Sequence, residues 1–181
     1  MKTINIGETE KFEDLKAGDS ILISGVIYTA RDAAHKRMKE DFESGKGFPF
    51  DIKGQAVYYA GPCPAKPQEV IGSCGPTTAG RMDAYAPLLL DNGLKVMIGK
   101  GGRNKEVVDA IVRNKAVYLG VAGGLGALIA SCIKSAEVIA YPDLETEAIR
   151  KLRVENLPCT VLVDCKGTDF YEEARKPYKK A

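Results

Sequence analysis

LKVMIGKGGRNKEVVDAIVRNKAVYLGVAGGLGALIASCI, from Leu94 to Ile133, is the stretch on which the fold turns. Leu94 to Ile98 reads as a strand, Lys105 to Arg113 as a helix, Ala116 to Val121 as a strand and Leu125 to Ile133 as a short apolar helix. Strands that alternate with helices pair in parallel, since a parallel connection needs a crossover. The turns between them are glycine-rich, Gly99-Lys-Gly-Gly102 and Gly123-Gly-Leu-Gly126. Neither is a nucleotide loop. Both miss G-x-x-x-x-G-K-[ST], and the last glycine of G-x-G-x-x-G is replaced by Asn104 in one and Ile129 in the other. They read as tight strand-to-helix turns, one of which lifts Lys100 at a place where α/β proteins gather ligand groups.

Upstream, β-branched residues between Asp19 and Thr29 mark a strand, and Arg31 to Phe42 is a helix that stops before the Gly/Pro-rich Ser44 to Pro49. Gln55 to Ala60 is a second strand, broken at Gly61-Pro62. A helix is expected from about Thr78 to Asp91, kinked or shortened by Pro87. Downstream, the pattern shifts after Val138 to Tyr141, and residues 148–155 alternate as a strand. Thr160 to Asp164 and Thr168 to Tyr171 flank a short connection with Gly167 placed for a tight hairpin, and a frayed tail from Arg175 is expected.

A chain of 181 residues suits a single domain, here 1–181 with its core at about 18–171. Its 26 basic and 24 acidic residues leave a net charge of +2, too balanced to recruit nucleic acid or a membrane surface, so any positive site is local. No apolar run reaches membrane length, the polar start lacks a signal-peptide core, and a cytoplasmic location is expected. The five cysteines form no C-x-x-C pair, which argues against a disulfide framework or a metal site on this chain.

The stretch Gly75-Pro-Thr-Thr-Ala-Gly-Arg-Met-Asp83 places Thr77 four residues from Arg81 at the expected start of a helix, where free amides and the dipole would favour an anion. The alternative is a capped helix with a solvated arginine. With Arg31 and Lys100, the chain offers three cations and a hydroxyl after strands or at a helix start, a set suited to a small dicarboxylate. His35, the only histidine, shares a helix face with Arg31. No Ser/His/Asp order and no defensible carboxylate pair completes an active site.

Several motifs in one order carry a resemblance: Ala30-Arg-Asp-Ala-Ala-His35, Tyr59-Ala-Gly-Pro62, the Gly75 to Asp83 stretch, Gly99-Lys-Gly101, Ala122-Gly-Gly124 and Leu162-Val-Asp-x-Lys-Gly-x-Asp-Phe170. The chain resembles the β subunit of class I fumarase and L(+)-tartrate dehydratase, a region that is elsewhere the C-terminal domain of a longer chain. The resemblance implies an α/β domain of three layers, β/β/α, of the swivelling type. It also implies a hydro-lyase assembled with an α subunit that ligates a [4Fe-4S] cluster, in a higher oligomer of αβ units. It makes Arg31, Arg81 and Lys100 the residues that clamp substrate carboxylates and Thr77 the suggested base, a weak one unaided. Asp32 and His35 become groups that orient Arg31. Fumarate hydration, L-tartrate dehydration and a non-catalytic anion-binding module are the readings left open.

Overall fold

In the computed structural model, which describes residues 1–178, neighbouring residues of three buried strands fall alternately into two separate cores. Ala56, Tyr58 and Ala60 join one core while Val57 and Tyr59 join the other; Val96 and Ile98 part from Met97, and Val117 and Leu119 part from Tyr118. Successive side chains of a strand point to opposite faces, so strands buried on both faces form the middle of three layers. The strands are β1 (Lys2–Asn5), β2 (Ser20–Thr29), β3 (Ala56–Tyr58), β4 (Val96–Gly99), β5 (Val117–Gly120), β6 (Ile133–Ala140) and β7 (Ile149–Val163). The helices are α1 (Asp32–Glu43), α2 (Ala86–Asp91), α3 (Lys105–Arg113), α4 (Gly126–Cys132) and α5 (Phe170–Arg175).

β2, β3, β4 and β5 pair successively in parallel, and β7 runs antiparallel to both β5 and β2, which closes these strands into a ring. β1 extends the sheet beside the first half of β2, and β6 beside the first half of β7. The pairing of β2 with β7 has a register break between Ile23 and Gly25. Gly25 sits there with φ +121°, a conformation that glycine adopts without strain, and a Cβ would press on the Ile6 backbone at 3.3 Å. The inner core lies between strand layers, with Ile21, Ile23, Leu152 and Val161 facing the β3–β5 residues. The outer core lies under α1, α2 and α3, which contribute Met38, Leu89, Leu90, Val107 and Ile111. This is the β/β/α order that the resemblance implies. Ile4, Ile6, Phe12 and Leu15 are also buried, ahead of Gly18.

α3 shows why these helices form. Asn104 Oδ1 accepts from Val107 N at 2.9 Å, Glu106 stands in the first turn and Arg113 in the last, and Val107, Ala110 and Ile111 make the buried stripe.

Three expectations are corrected. The helix from Thr78 is two pieces, a 3-10 turn at Ala79–Met82 and then α2, because Pro87 fits the donor-free first turn of a new helix rather than the interior of an old one. The strands at 148–155 and 160–164 are one strand, β7. The hairpin after Asp164 is a tight turn that leads into α5: Gly167 has φ +83°, Val163 and Asp169 form only an isolated bridge, and Asp169 Oδ1 caps the helix by accepting from Tyr171 N at 2.7 Å. Of the expected frayed tail, Arg175 closes α5 and Lys176–Tyr178 form a 3-10 turn, while 179–181 lie outside the described residues. Among the described residues no helix is long and apolar enough to cross a membrane.

Candidate functional site

Parallel strands end together, so the residues that follow β2, β3, β4 and β5 share one edge of the sheet. Arg31 follows β2, Gly61 follows β3, Lys100 follows β4 and the Ala122 to Gly124 turn follows β5. Thr77 belongs to no strand, and the chain carries it there from a distance. The loop beyond Gly61 returns through an antiparallel bridge between Ala60 and Pro76, and Thr78 then bridges Lys100 in parallel. Thr77 N donates to Tyr59 O at 2.7 Å, Lys100 N to Thr77 O at 3.3 Å and Ala79 N to Lys100 O at 2.8 Å. The hydroxyl-bearing residue is thus held by backbone on both sides, next to Lys100. A Cβ on Gly123 would lie 3.6 Å from Lys100 Nζ, so the last turn reaches the same ammonium.

This bonding pattern also corrects an expectation. The amides of Thr77 and Ala79 are bonded to the carbonyls of Tyr59 and Lys100, just beyond β3 and β4, and Arg81 N to Thr78 O at 3.4 Å, within a turn only four residues long. Thr78 caps it without a side-chain hydrogen bond. No helix dipole of useful length points at the site, and its positive potential comes from side chains.

Arg81, with half its side chain exposed, donates from Nε to Asp32 Oδ1 at 2.8 Å, which ties the turn after Thr77 to the first residue of α1. Arg31 is more enclosed. Its Nη2 lies 3.5 Å from Glu147 Oε1 and its Nε 3.9 Å from Asp32 Oδ2, while Glu147 Oε2 accepts from Ala33 N at 2.9 Å. Gly61 is needed beside it, because a Cβ would come 2.8 Å from Arg31 Nη1. Arg31 Nε and Asp32 Oδ2 are covered yet without a hydrogen-bond partner, which leaves a donor and an acceptor of the site unengaged.

His35 is fully buried. Its Nδ1 lies 2.9 Å from the Arg31 carbonyl, an acceptor, so Nδ1 carries the proton and Nε2 is a bare lone pair without a partner. Burial pushes its pKa down to about 4, opposed by the bond to Arg31 and assisted by the charge of Arg103. The ring is neutral near pH 7 and braces the Arg31 backbone rather than its guanidinium. Asp32 bonds Arg81 more closely than Arg31.

Arg103 went unnoticed in the sequence. Its side chain is 0% exposed, Nε donates to Asp83 Oδ1 at 2.7 Å and Nη1 to the Tyr59 hydroxyl at 3.2 Å. The guanidinium carbon lies 5.3 Å from the Tyr59 ring centroid and 5.0 Å from that of Tyr118. Nothing local in Gly-Gly-Arg-Asn distinguishes it from a solvated turn arginine.

The cysteines do not fit a metal cluster. Cys63 is exposed, Cys132 and Cys165 are half-buried, and burial pushes the thiols of Cys74 and Cys159 up, away from the thiolate a metal requires. Among the described residues no group of three or more His, Cys, Asp or Glu could hold a metal ion. A groove of about 520 Å³, mostly apolar but bordered by Lys66 and Glu69, lies elsewhere, between Cys63, Val70 and Ile71 on one side and Ala127 and Ala130 of α4 on the other.

The sequence profile of the family described as "Fumarase C-terminus" matches residues 1–174. The aerobic class I fumarate hydratase of Escherichia coli K12 is 44% identical over 153 residues, which cover 83% of this chain and 28% of that protein. Fumarate hydratase 2 of Leishmania major is 37% identical over 166 residues, 91% of this chain and 29% of that one. A Methanocaldococcus jannaschii protein named "Putative L(+)-tartrate dehydratase subunit beta" is 35% identical over 180 residues, 96% of this chain and 92% of that one. The chain therefore spans under a third of the two fumarate hydratases and nearly all of the archaeal protein.

Proposed function

The chain belongs to the fumarase C-terminus family, and from that premise we propose that it supplies the carboxylate-holding half of an iron–sulfur hydro-lyase that hydrates fumarate reversibly to L-malate. The observation that carries the reading is the gathering of Arg31, Thr77, Arg81 and Lys100 along one sheet edge, with Thr77 and Lys100 bonded backbone to backbone and Arg81 tied to Asp32 beside Arg31. Two carboxylates need cations at two ends, and arginine forks and a lysine point charge supply them.

In this proposal Arg31, Arg81 and Lys100 hold the carboxylates while the C–H beside one of them loses its proton and that carboxylate gains enolate character, which fixed cations favour without reorganisation. Thr77 occupies the position of the base. Its hydroxyl has no carboxylate or imidazole bonded to it among the described residues, so the field of Lys100 and a group from the other half would have to sustain that role. A [4Fe-4S] cluster held by cysteines of the other half would act as a Lewis acid on the departing hydroxyl. The cysteines of this chain do not fit it.

The extended match to a protein named as a β subunit supports a two-subunit arrangement; in this proposal the partner is an α subunit that bears the cluster, and the αβ units form a higher oligomer. Val70 on the loop beyond Gly61, Leu125 just before α4, Leu128 on α4 and Val138 on β6 are large apolar side chains left exposed, which supports burial against such a partner. The five unpaired cysteines suit a reducing cytoplasm. L(+)-tartrate dehydration is the second reading, favoured by the name of the relative that matches along 92% of its length. Anaerobic purification from the native cell tests the proposal. An iron–sulfur partner with malate turnover is the expected result, preference for L-tartrate selects the second reading, and an iron-free, inactive chain without a partner refutes both.

A further inference from the structure

Three supports of the candidate site meet at one buried guanidinium. Lys100 stands at the head of a loop, Gly99 to Asn104, that holds two consecutive glycines, one with φ +82° at Gly101. Such a loop has little stiffness of its own. It is fastened by Arg103 Nε to Asp83 Oδ1 at 2.7 Å, by Asn104 N to Asp83 Oδ2 at 2.8 Å and by the Tyr118 hydroxyl to Gly101 O at 3.0 Å. Asp83 follows the 3-10 turn that carries Arg81, and Tyr59, which Arg103 also bonds, is the residue whose carbonyl holds Thr77.

We propose that Arg103 is a positioning residue that fixes the spacing of Lys100 against Arg81 and Thr77, by clamping the Lys100 loop to Asp83 and Tyr59 from below. A buried ion pair is a poor device for stability alone, because desolvation offsets most of its attraction, whereas its directional bonds set a register that apolar packing would leave loose. The forked donor matters: Nε and Nη1 engage two different segments at once, and both aromatic rings flank the plane. With its side chain 0% exposed, Arg103 acts on the site through the loop it holds. The inference rests on the functional reading above only for its kinetic arm.

Arg103→Met leaves Asp83 buried without its partner, so the decisive variant is Arg103→Met with Asp83→Asn, which removes both charges at similar volume. Amide exchange in the purified chain should quicken about tenfold or more in residues 77–83 and 99–104, with the interior of α3 unchanged. In the assembled enzyme, KM for malate or L-tartrate should rise about tenfold or more with a smaller change in kcat, as misplaced binding groups predict. Arg103→Lys keeps the charge and loses the fork, and should show the same loosening with a KM between the two. Wild-type exchange in both segments of a folded double variant overturns the proposal, as does an unchanged KM. Exchange needs no substrate. If the wild-type assembly turns over neither acid, the functional reading falls and the exchange result alone decides the clamp.

Discussion

His35 should make this domain acid-labile through a single, identifiable proton. The ring is buried with Nδ1 bonded to Arg31 O and Nε2 bare, and its pKa is held down to about 4 from an ordinary 6.5. Above about pH 6.5 the ring is neutral folded or unfolded and contributes no pH dependence. As pH falls through that value the unfolded chain takes up a proton that the folded chain refuses until about pH 4, so stability declines across this window and levels off below it. At about 1.4 kcal/mol per pH unit the loss approaches about 3 kcal/mol, a large part of the 5–15 kcal/mol that stabilises a typical domain. Urea unfolding of the chain and of His35→Leu, from about pH 7.5 to about pH 4, isolates the effect, because carboxylate contributions are common to both. Leucine keeps the backbone bond from residue 35 to Arg31 O, which His35 N makes at 2.8 Å. The difference in stability between the two should shrink or reverse by about 3 kcal/mol over that range. Parallel curves would refute the reasoning. Since this is the only histidine, its ring resonances report directly and should stay still from about pH 7.5 to about pH 5.

Other perturbations test the remaining supports. Lys100→Ala and Arg81→Ala, both exposed on this chain, should each weaken dicarboxylate binding in the assembled enzyme by roughly 1 kcal/mol, read as KM; unchanged kinetics in both would sink the clamp assignment. Asn104→Ala removes the side-chain cap of α3 and should cost about 1 kcal/mol in thermal or urea unfolding. Gly99→Ala would bring a Cβ within 2.8 Å of the Tyr59 ring and 3.3 Å of Ala79 Cβ, and should destabilise by about 1–3 kcal/mol as overpacking. An alkylating thiol reagent followed by peptide mass mapping should label exposed Cys63 well before Cys74 or Cys159, whose thiols are buried; equal labelling would contradict their burial.

The strands and helices of the Leu94 to Ile133 stretch were legible because period and punctuation agree there: Asn104 caps, Gly101 and Gly124 turn, and Val107, Ala110 and Ile111 repeat at helical spacing. The middle of the chain was not, because Pro87 suits a helix interior badly and a helix start well, and local sequence does not say which applies. The length of β7 was not legible, because Pro158, a residue that strand interiors seldom hold, sits within it opposite Leu22. Among the site residues, the cations after β2 and β4 could be placed from strand order alone. The position of Thr77 depends on a loop that returns to pair with Tyr59 and Lys100, and Arg103 is buried by contacts with Tyr59, Asp83 and Tyr118 that lie 15 to 44 residues away. Such partners leave no periodic trace.

The ring of strands has a consequence for synthesis. β2, made well before β7, finds its long partner only in that strand, with Ser20 opposite Thr160. Until the ribosome has delivered the chain past Val163, β2 and β5 each keep an open edge, and no local contact can substitute for the missing strand. Closure over so wide a separation is slow, and the nascent domain waits for it with two sticky borders exposed. A chain cut short before β7 should therefore aggregate rather than persist as a smaller domain, which makes the interval before β7 is delivered the point at which chaperone protection matters most.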